Sequence, residues 1–128
     1  MNDFANSNVP SEDLELDRPT SRLICIYHAL SHPIRLTICK HLLVRSHTVS
    51  ELNELLGEKQ YVVSQQLAVL RNSDIVETER QSRHILYSLR SEAARRILRV
   101  SIRNVSISEI SSSPKQSYKP SGFAKIRN

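Results

Sequence analysis

Apolar residues recur at three- and four-residue steps over residues 23–72 and again after residue 91, and the pattern turns strand-like between residues 75 and 89. Leu23, Ile26, Tyr27 and Leu30 form the first stripe and predict a helix over 19–30, with Pro19 in its first turn. Ser31-His32-Pro33 interrupts it. Ser31 is the expected cap of a second helix that carries Ile34, Ile38, Leu42 and Leu43 to about residue 45. Thr48 followed by Glu51 reads as a capping box for a third helix, with Val49, Leu52, Leu55 and Leu56 on its core face. Gly57 ends that helix, because glycine accepts a positive φ without cost. After Glu58-Lys59, a fourth helix over 60–72 buries Val63, Leu67 and Leu70.

Residues 75–80 and 84–89 read as two strands joined by the polar turn Gln81-Ser82-Arg83. A last helix starts near Ser91 and carries Ala93, Ala94, Ile97, Leu98 and Val100; its end beyond Ile102 is left open by an alternating Val-Ser-Ile-Ser pattern. The predicted architecture is mainly α with a small β-hairpin, in the order α-α-α-α-β-β-α. Within it, residues 48–90 make a helix-turn-helix followed by a β-wing, so the expected fold is a winged helix-turn-helix.

That order points to a double-helical partner. A helix that reads base edges must present short polar side chains at its N-terminal end, within a groove about 12 Å wide. Gln60, Tyr61, Ser64 and Gln65 occupy the first two turns of the fourth helix, with Gln66 next. Between Gln60 and Leu70 there is no charged residue, unlike an ordinary solvated face. Thr48 stands at the N-terminus of the third helix, where free amides can hold a phosphate. Arg80 and Arg83 flank the wing tip, from which cations reach a minor groove or its phosphates. The plainer reading of each is a soluble helix face and a charged turn; their occurrence together favours DNA.

Composition agrees. The chain has 128 residues and a hydrophobic fraction of 39%, enough for one domain with a modest core. Aromatics are only 5% and Trp is absent, so dimerisation is the expected way to complete the core. The net charge is +5. Residues 1–18 are acidic and polar and residues 111–128 are rich in Ser, Pro and Lys; both are expected to be flexible tails flanking a domain over 19–110. The basic middle suits a polyanion. No apolar run approaches the roughly 20 residues of a membrane span. Nothing resembles a signal peptide, and two cysteines fit a reducing compartment, so a cytoplasmic location is expected. No glycine-rich phosphate loop, nucleophile with a base or cluster of carboxylates suggests an enzyme.

The segments HALSHPIRLTICKHL, TVSELNELLG and VVSQQLAVLRNSDIVETERQSRHILYSL resemble the ArsR/SmtB family of winged-helix bacterial repressors. Ser64-Gln65-Gln66-Leu67-Ala68-Val69-Leu70 matches the family's S-x-H-L-x-x-L recognition helix, with Gln66 where His is common. Asn72-Ser73-Asp74 and Gln81-Ser82 stand where the family usually has glycine. The resemblance implies a homodimer built from the first and last helices that binds an imperfect palindrome and occludes a promoter.

Members of this family often release DNA when a ligand binds. The Cys-x-Cys site of the third helix is absent here, since that stretch is Ser50-Glu51-Leu52-Asn53. The zinc-type site of the last helix is absent too, because residues 91–110 contain neither His nor Asp. No metal or cofactor is therefore expected. Cys25 and Cys39 remain, each seven residues from His32. They admit a dithiol switch, a metal alternative with His28 and either His32 or His41, or two buried small hydrophobes. Cys39 matches the second-helix cysteine of redox-responsive relatives, but their partner cysteine on the last helix is missing. A rival from another class is a winged-helix protein–protein module without DNA binding, which would lean on Arg95, Arg96 and Arg99 of the last helix.

Overall fold

The computed structural model describes residues 15–105. Five helices, α1 (Arg18–Leu30), α2 (Pro33–Val44), α3 (Val49–Leu56), α4 (Gln60–Asn72) and α5 (Glu92–Asn104), surround a small sheet of β1 (His47–Thr48), β2 (Val76–Gln81) and β3 (His84–Leu89). The expected tails fall almost wholly outside the described residues. At the inner edge of the first, Asp17 and Arg18 belong to α1: Asp17 Oδ1 accepts the Thr20 amide at 2.8 Å as the N-cap.

Several helix ends follow the expected chemistry, and two differ. The Thr48 hydroxyl oxygen accepts the Glu51 amide at 3.2 Å, and Gly57 closes α3 at φ +66°. The reciprocal half of the capping box is not made, because the Glu51 carboxylate turns instead to Arg45 and His47, each at 2.9 Å. The cap of α2 is His32, not Ser31: Nδ1 of His32 accepts the Ile34 amide at 3.2 Å. Ser31 donates its hydroxyl back to the His28 carbonyl at 2.7 Å and so finishes α1. The end of α4 is a Schellman motif, in which Ile75 N–H donates to Leu70 O and Asp74 N–H to Arg71 O, both at 3.0 Å. Asp74 takes the left-handed position at φ +57°.

The predicted hairpin is two thirds of a larger sheet. All pairings are antiparallel, in the order β1-β3-β2. His47 pairs with Tyr87 and Thr48 with Leu86, so the segment entering α3 is hydrogen-bonded to the wing. Gln81 pairs with His84, which leaves a two-residue turn, Ser82-Arg83, with Ser82 at φ +58°. Twisted two-residue hairpins require a positive φ in the turn.

One core joins all five helices and the sheet, with Ile26, Ile38, Leu52, Leu67, Leu70 and Leu98 almost fully enclosed. Three stripe residues of α1 and α3 depart from expectation. Leu23 is 41% exposed, Tyr27 55% and Leu55 50%. The buried side of α1 is Ile26, Ala29 and Leu30, and no element of the described chain covers its other apolar side, where Ile24 also lies open. On α5, Ala94 and Leu98 face the core while Val100, Ile102 and the C-cap residue Val105 are exposed. Among the described residues, no helix is long and apolar enough to cross a membrane.

Candidate nucleic-acid interface

Helix α4 is held from inside by Val62, Val63, Leu67 and Leu70, which leaves Gln60, Tyr61, Ser64 and Gln65 exposed. These four therefore share the outward surface of its first two turns. Gln66 does not join them. It is half-buried, and its Oε1 accepts a hydrogen bond from Arg35 Nη1 of α2 at 2.9 Å. Its amide oxygen is thus taken by Arg35, and Gln66 lies to the side of the outward surface that Gln60, Tyr61, Ser64 and Gln65 share. The signal was Arg35 in the His-Pro-Ile-Arg stretch, whose reach across to α4 no spacing rule reveals.

The start of α4 is open. Lys59 stands at the N-cap, and no side chain caps the helix. Val62 and Val63 N–H donate to the Lys59 carbonyl, so the Gln60 and Tyr61 amides stand without a capping side chain at the positive end of the helix dipole, next in sequence to a lysine, which suits a phosphate. Thr48 at the start of α3 is half-buried, and its cap uses only an acceptor lone pair, so its hydroxyl proton is left to donate. Arg80, Arg83 and His84 are exposed at the wing tip, where Arg80 Nε donates to the Ser82 carbonyl at 3.4 Å.

The two cysteines sit in unlike surroundings. Cys25 is exposed on α1 and Cys39 is wholly buried on α2; both are free thiols. Burial pushes the Cys39 thiol up to about 12, against a weaker opposing pull from the Arg35 charge. Since the thiolate is the reactive form, Cys39 is both protonated and shielded. Among the described residues, no three His, Cys, Asp or Glu side chains converge as metal ligands would.

Residues overlooked in the linear pattern connect the parts. His47, buried in β1, has its Nδ1 on the Glu51 carboxylate and its ring 6.1 Å from that of His41, edge to face. Arg22 of α1 donates to the Ser73 carbonyl at 2.6 Å and so ties α1 to the turn after α4. The arginines of α5 are in part internal braces: Arg95 donates to the Leu89 carbonyl at 2.9 Å, and Arg95 and Arg96 both pair with Glu92 at 3.5 Å.

Residues 32–78, from the cap of α2 into β2, match the family described as bacterial regulatory protein, arsR family. Over 99 residues the chain is 33% identical to the biofilm growth-associated repressor of Xylella fastidiosa strain Temecula1, an alignment spanning 77% of this chain and 87% of that protein. Among solved structures, the transcriptional repressor BigR from Xylella fastidiosa is similar at 34% identity and a TM-score of 0.62, over 66% of this chain and 86% of that one. HlyU from Vibrio cholerae is similar at 26% identity and a TM-score of 0.66, over 69% and 96%. With the helix-turn-helix and wing in place, the chain belongs to the ArsR family of bacterial regulatory proteins and is a winged helix-turn-helix DNA-binding transcriptional repressor.

Proposed function

We propose that the protein acts as a homodimer that lays the first two turns of α4 in successive major grooves of an imperfect palindrome and so occludes a promoter. The observation that carries this reading is the outer face of α4, which is exposed, polar and uncharged, at a helix start with no capping side chain. Gln60, Ser64 and Gln65 supply hydrogen bonds to base edges, and Tyr61 supplies an apolar face with a polar tip. Thr48, Lys59, Arg80 and Arg83 supply phosphate contacts that set register. Exposed Leu23, Ile24 and Tyr27 on α1, with Val100 and Ile102 on α5 and Val105 at its C-cap, support pairing of two copies through the first and last helices. Two copies place two recognition helices on one face of the duplex, about one helical turn apart. The cytoplasm, where the DNA lies, is the proposed site of action, and the action is binding without catalysis.

Fluorescence anisotropy on duplex from the protein's own upstream region tests this, against an unrelated duplex of equal length. Tight, salt-sensitive binding with preference for the upstream duplex is expected, and that preference should fall in Gln60→Ala with Gln65→Ala. Preference unchanged in that variant would remove α4 from the reading role. Absence of duplex binding at low salt would favour the protein–protein module. The buried Cys39 supports an affinity indifferent to mild oxidant; release on oxidation that disappears in Cys39→Ser would instead establish a thiol-switched repressor.

A further inference from the structure

We propose that Arg35 is a positioning residue that locks the rotation of α4 to α1 through Gln66. The inference rests on α4 being the DNA-reading helix. Arg35 lies on α2, yet its guanidinium touches both neighbouring helices at once. Its Nε donates to the Ala29 carbonyl at 2.6 Å and its Nη2 to the His28 carbonyl at 3.3 Å, both in the last turn of α1. Its Nη1 donates to Gln66 Oε1 at 2.9 Å. Among the described residues, no carboxylate lies within ion-pair distance of Arg35. Its charge is held instead by the carbonyls at the negative end of the α1 dipole and by the Gln66 amide oxygen. A planar fork with fixed donor directions can span this arrangement; an ammonium on a flexible stem cannot.

The apolar contacts of α4 explain why a directional bond matters there. Val63, Leu67 and Leu70 resist withdrawal of the helix from the core, but hydrophobic contact is non-directional and weakly opposes rotation about the helix axis. A rotation of about 20° moves a side-chain tip by roughly 2 Å at the roughly 5–6 Å radius of a helix. That is enough to break a hydrogen bond to a base edge. Gln66 follows Gln65 directly and Ser64 by two residues, so anchoring Gln66 sets the angle at which those two meet the groove. The other end of the clamp is α1, whose uncovered side presents Leu23, Ile24 and Tyr27. Displacement of α1 therefore reaches the reading face through one side chain.

The test is a double-mutant cycle on operator and unrelated duplexes, with thermal unfolding measured in parallel. Gln66→Leu, which removes the acceptor at similar volume, is expected to lower operator preference about tenfold, as loss of a hydrogen bond to a charged group would. Gln66→Glu keeps an acceptor for Arg35 and is expected to hold that preference within about threefold. Arg35→Met should reproduce the Gln66→Leu loss, and the double variant should add nothing further. Additive losses, or Gln66→Glu failing as badly as Gln66→Leu, would mean that Gln66 touches DNA itself and would overturn the proposal. Unchanged preference in Gln66→Leu would overturn it equally. If Arg35→Met does not fold, the Gln66 pair alone decides. Wild-type protein with no operator preference would instead fell the α4 reading, and this inference with it.

Discussion

Nδ1 of buried His47 and the carboxylate of Glu51 lie 2.9 Å apart, and Arg45 Nη1 reaches the same oxygen at the same distance. This triangle joins β1 to the first turn of α3. Because β1 also pairs with β3, the wing and the helix-turn-helix share one anchor. Glu51→Ala leaves the enclosed His47 Nδ1–H without an acceptor, so a loss of about 1–3 kcal/mol is expected in urea denaturation. Glu51→Gln keeps a carbonyl oxygen there and should cost less. Equal stability of wild type and Glu51→Ala would show the contact to be idle.

Acidification should weaken the fold by a route that begins with His32. Burial, then the Arg35 charge, holds His32 below its ordinary value of 6.5, and burial with the His47 and Lys40 charges holds His41 below it too. The folded state thus favours neutral imidazole, while the unfolded chain protonates first. Their contribution is complete above about pH 6.5 and is lost as pH falls from there through the lowered values. In His32 the neutral form also caps α2, since a protonated Nδ1 cannot accept the Ile34 amide. The unfolding midpoint should therefore drop between about pH 7.5 and about pH 5.5, and drop less in His32→Asn with His41→Gln. A fall unchanged in that double variant would place the acid sensitivity elsewhere.

Two left-handed positions predict opposite responses. Asp74 stands at φ +57° in the Schellman motif, and its exposed pairing with Arg90 at 3.8 Å contributes little. Asp74→Gly should raise stability by up to about 1 kcal/mol by relieving the Cβ clash. Gly57, at φ +66°, has open space around a Cβ, so Gly57→Ala costs only backbone strain, about 1–2 kcal/mol. Thermal melts read both, and a stabilising Gly57→Ala would contradict the assigned backbone geometry.

Reading and anchoring residues should separate by salt. Ser64→Ala and Gln65→Ala are each expected to lose about 1–3 kcal/mol of discrimination with the salt slope unchanged. Arg80→Ala and Arg83→Ala should weaken every duplex alike and reduce the slope of log K against log salt by about 1 each. Sequence preference altered only by the arginine variants would exchange the two roles.

Thiol titration distinguishes the cysteines. Exposed Cys25 should react with an aromatic disulfide reagent in the native protein, and Cys39 only after denaturant is added. Two thiols reacting at once under native conditions would show that α2 opens readily.

Helix placement was legible because it is a local matter. The four-residue steps of Ile34, Ile38 and Leu42, the Thr48 cap and Gly57 each act within a turn or two of chain, and the start of α4 at Gln60 follows from them. The polar, uncharged beginning of α4 and the cations of the wing were legible for the same reason. The tertiary structure alone decided what touches across long separations. It turned Gln66 inward to Arg35, enclosed His47 and recruited β1 to the wing. It also left Leu23, Tyr27 and Leu55 uncovered although they continue the apolar pattern. Periodicity shows which residues share a helix face, but burial depends on whether another element reaches that face, and hydrogen bonds between helices depend on where their axes cross.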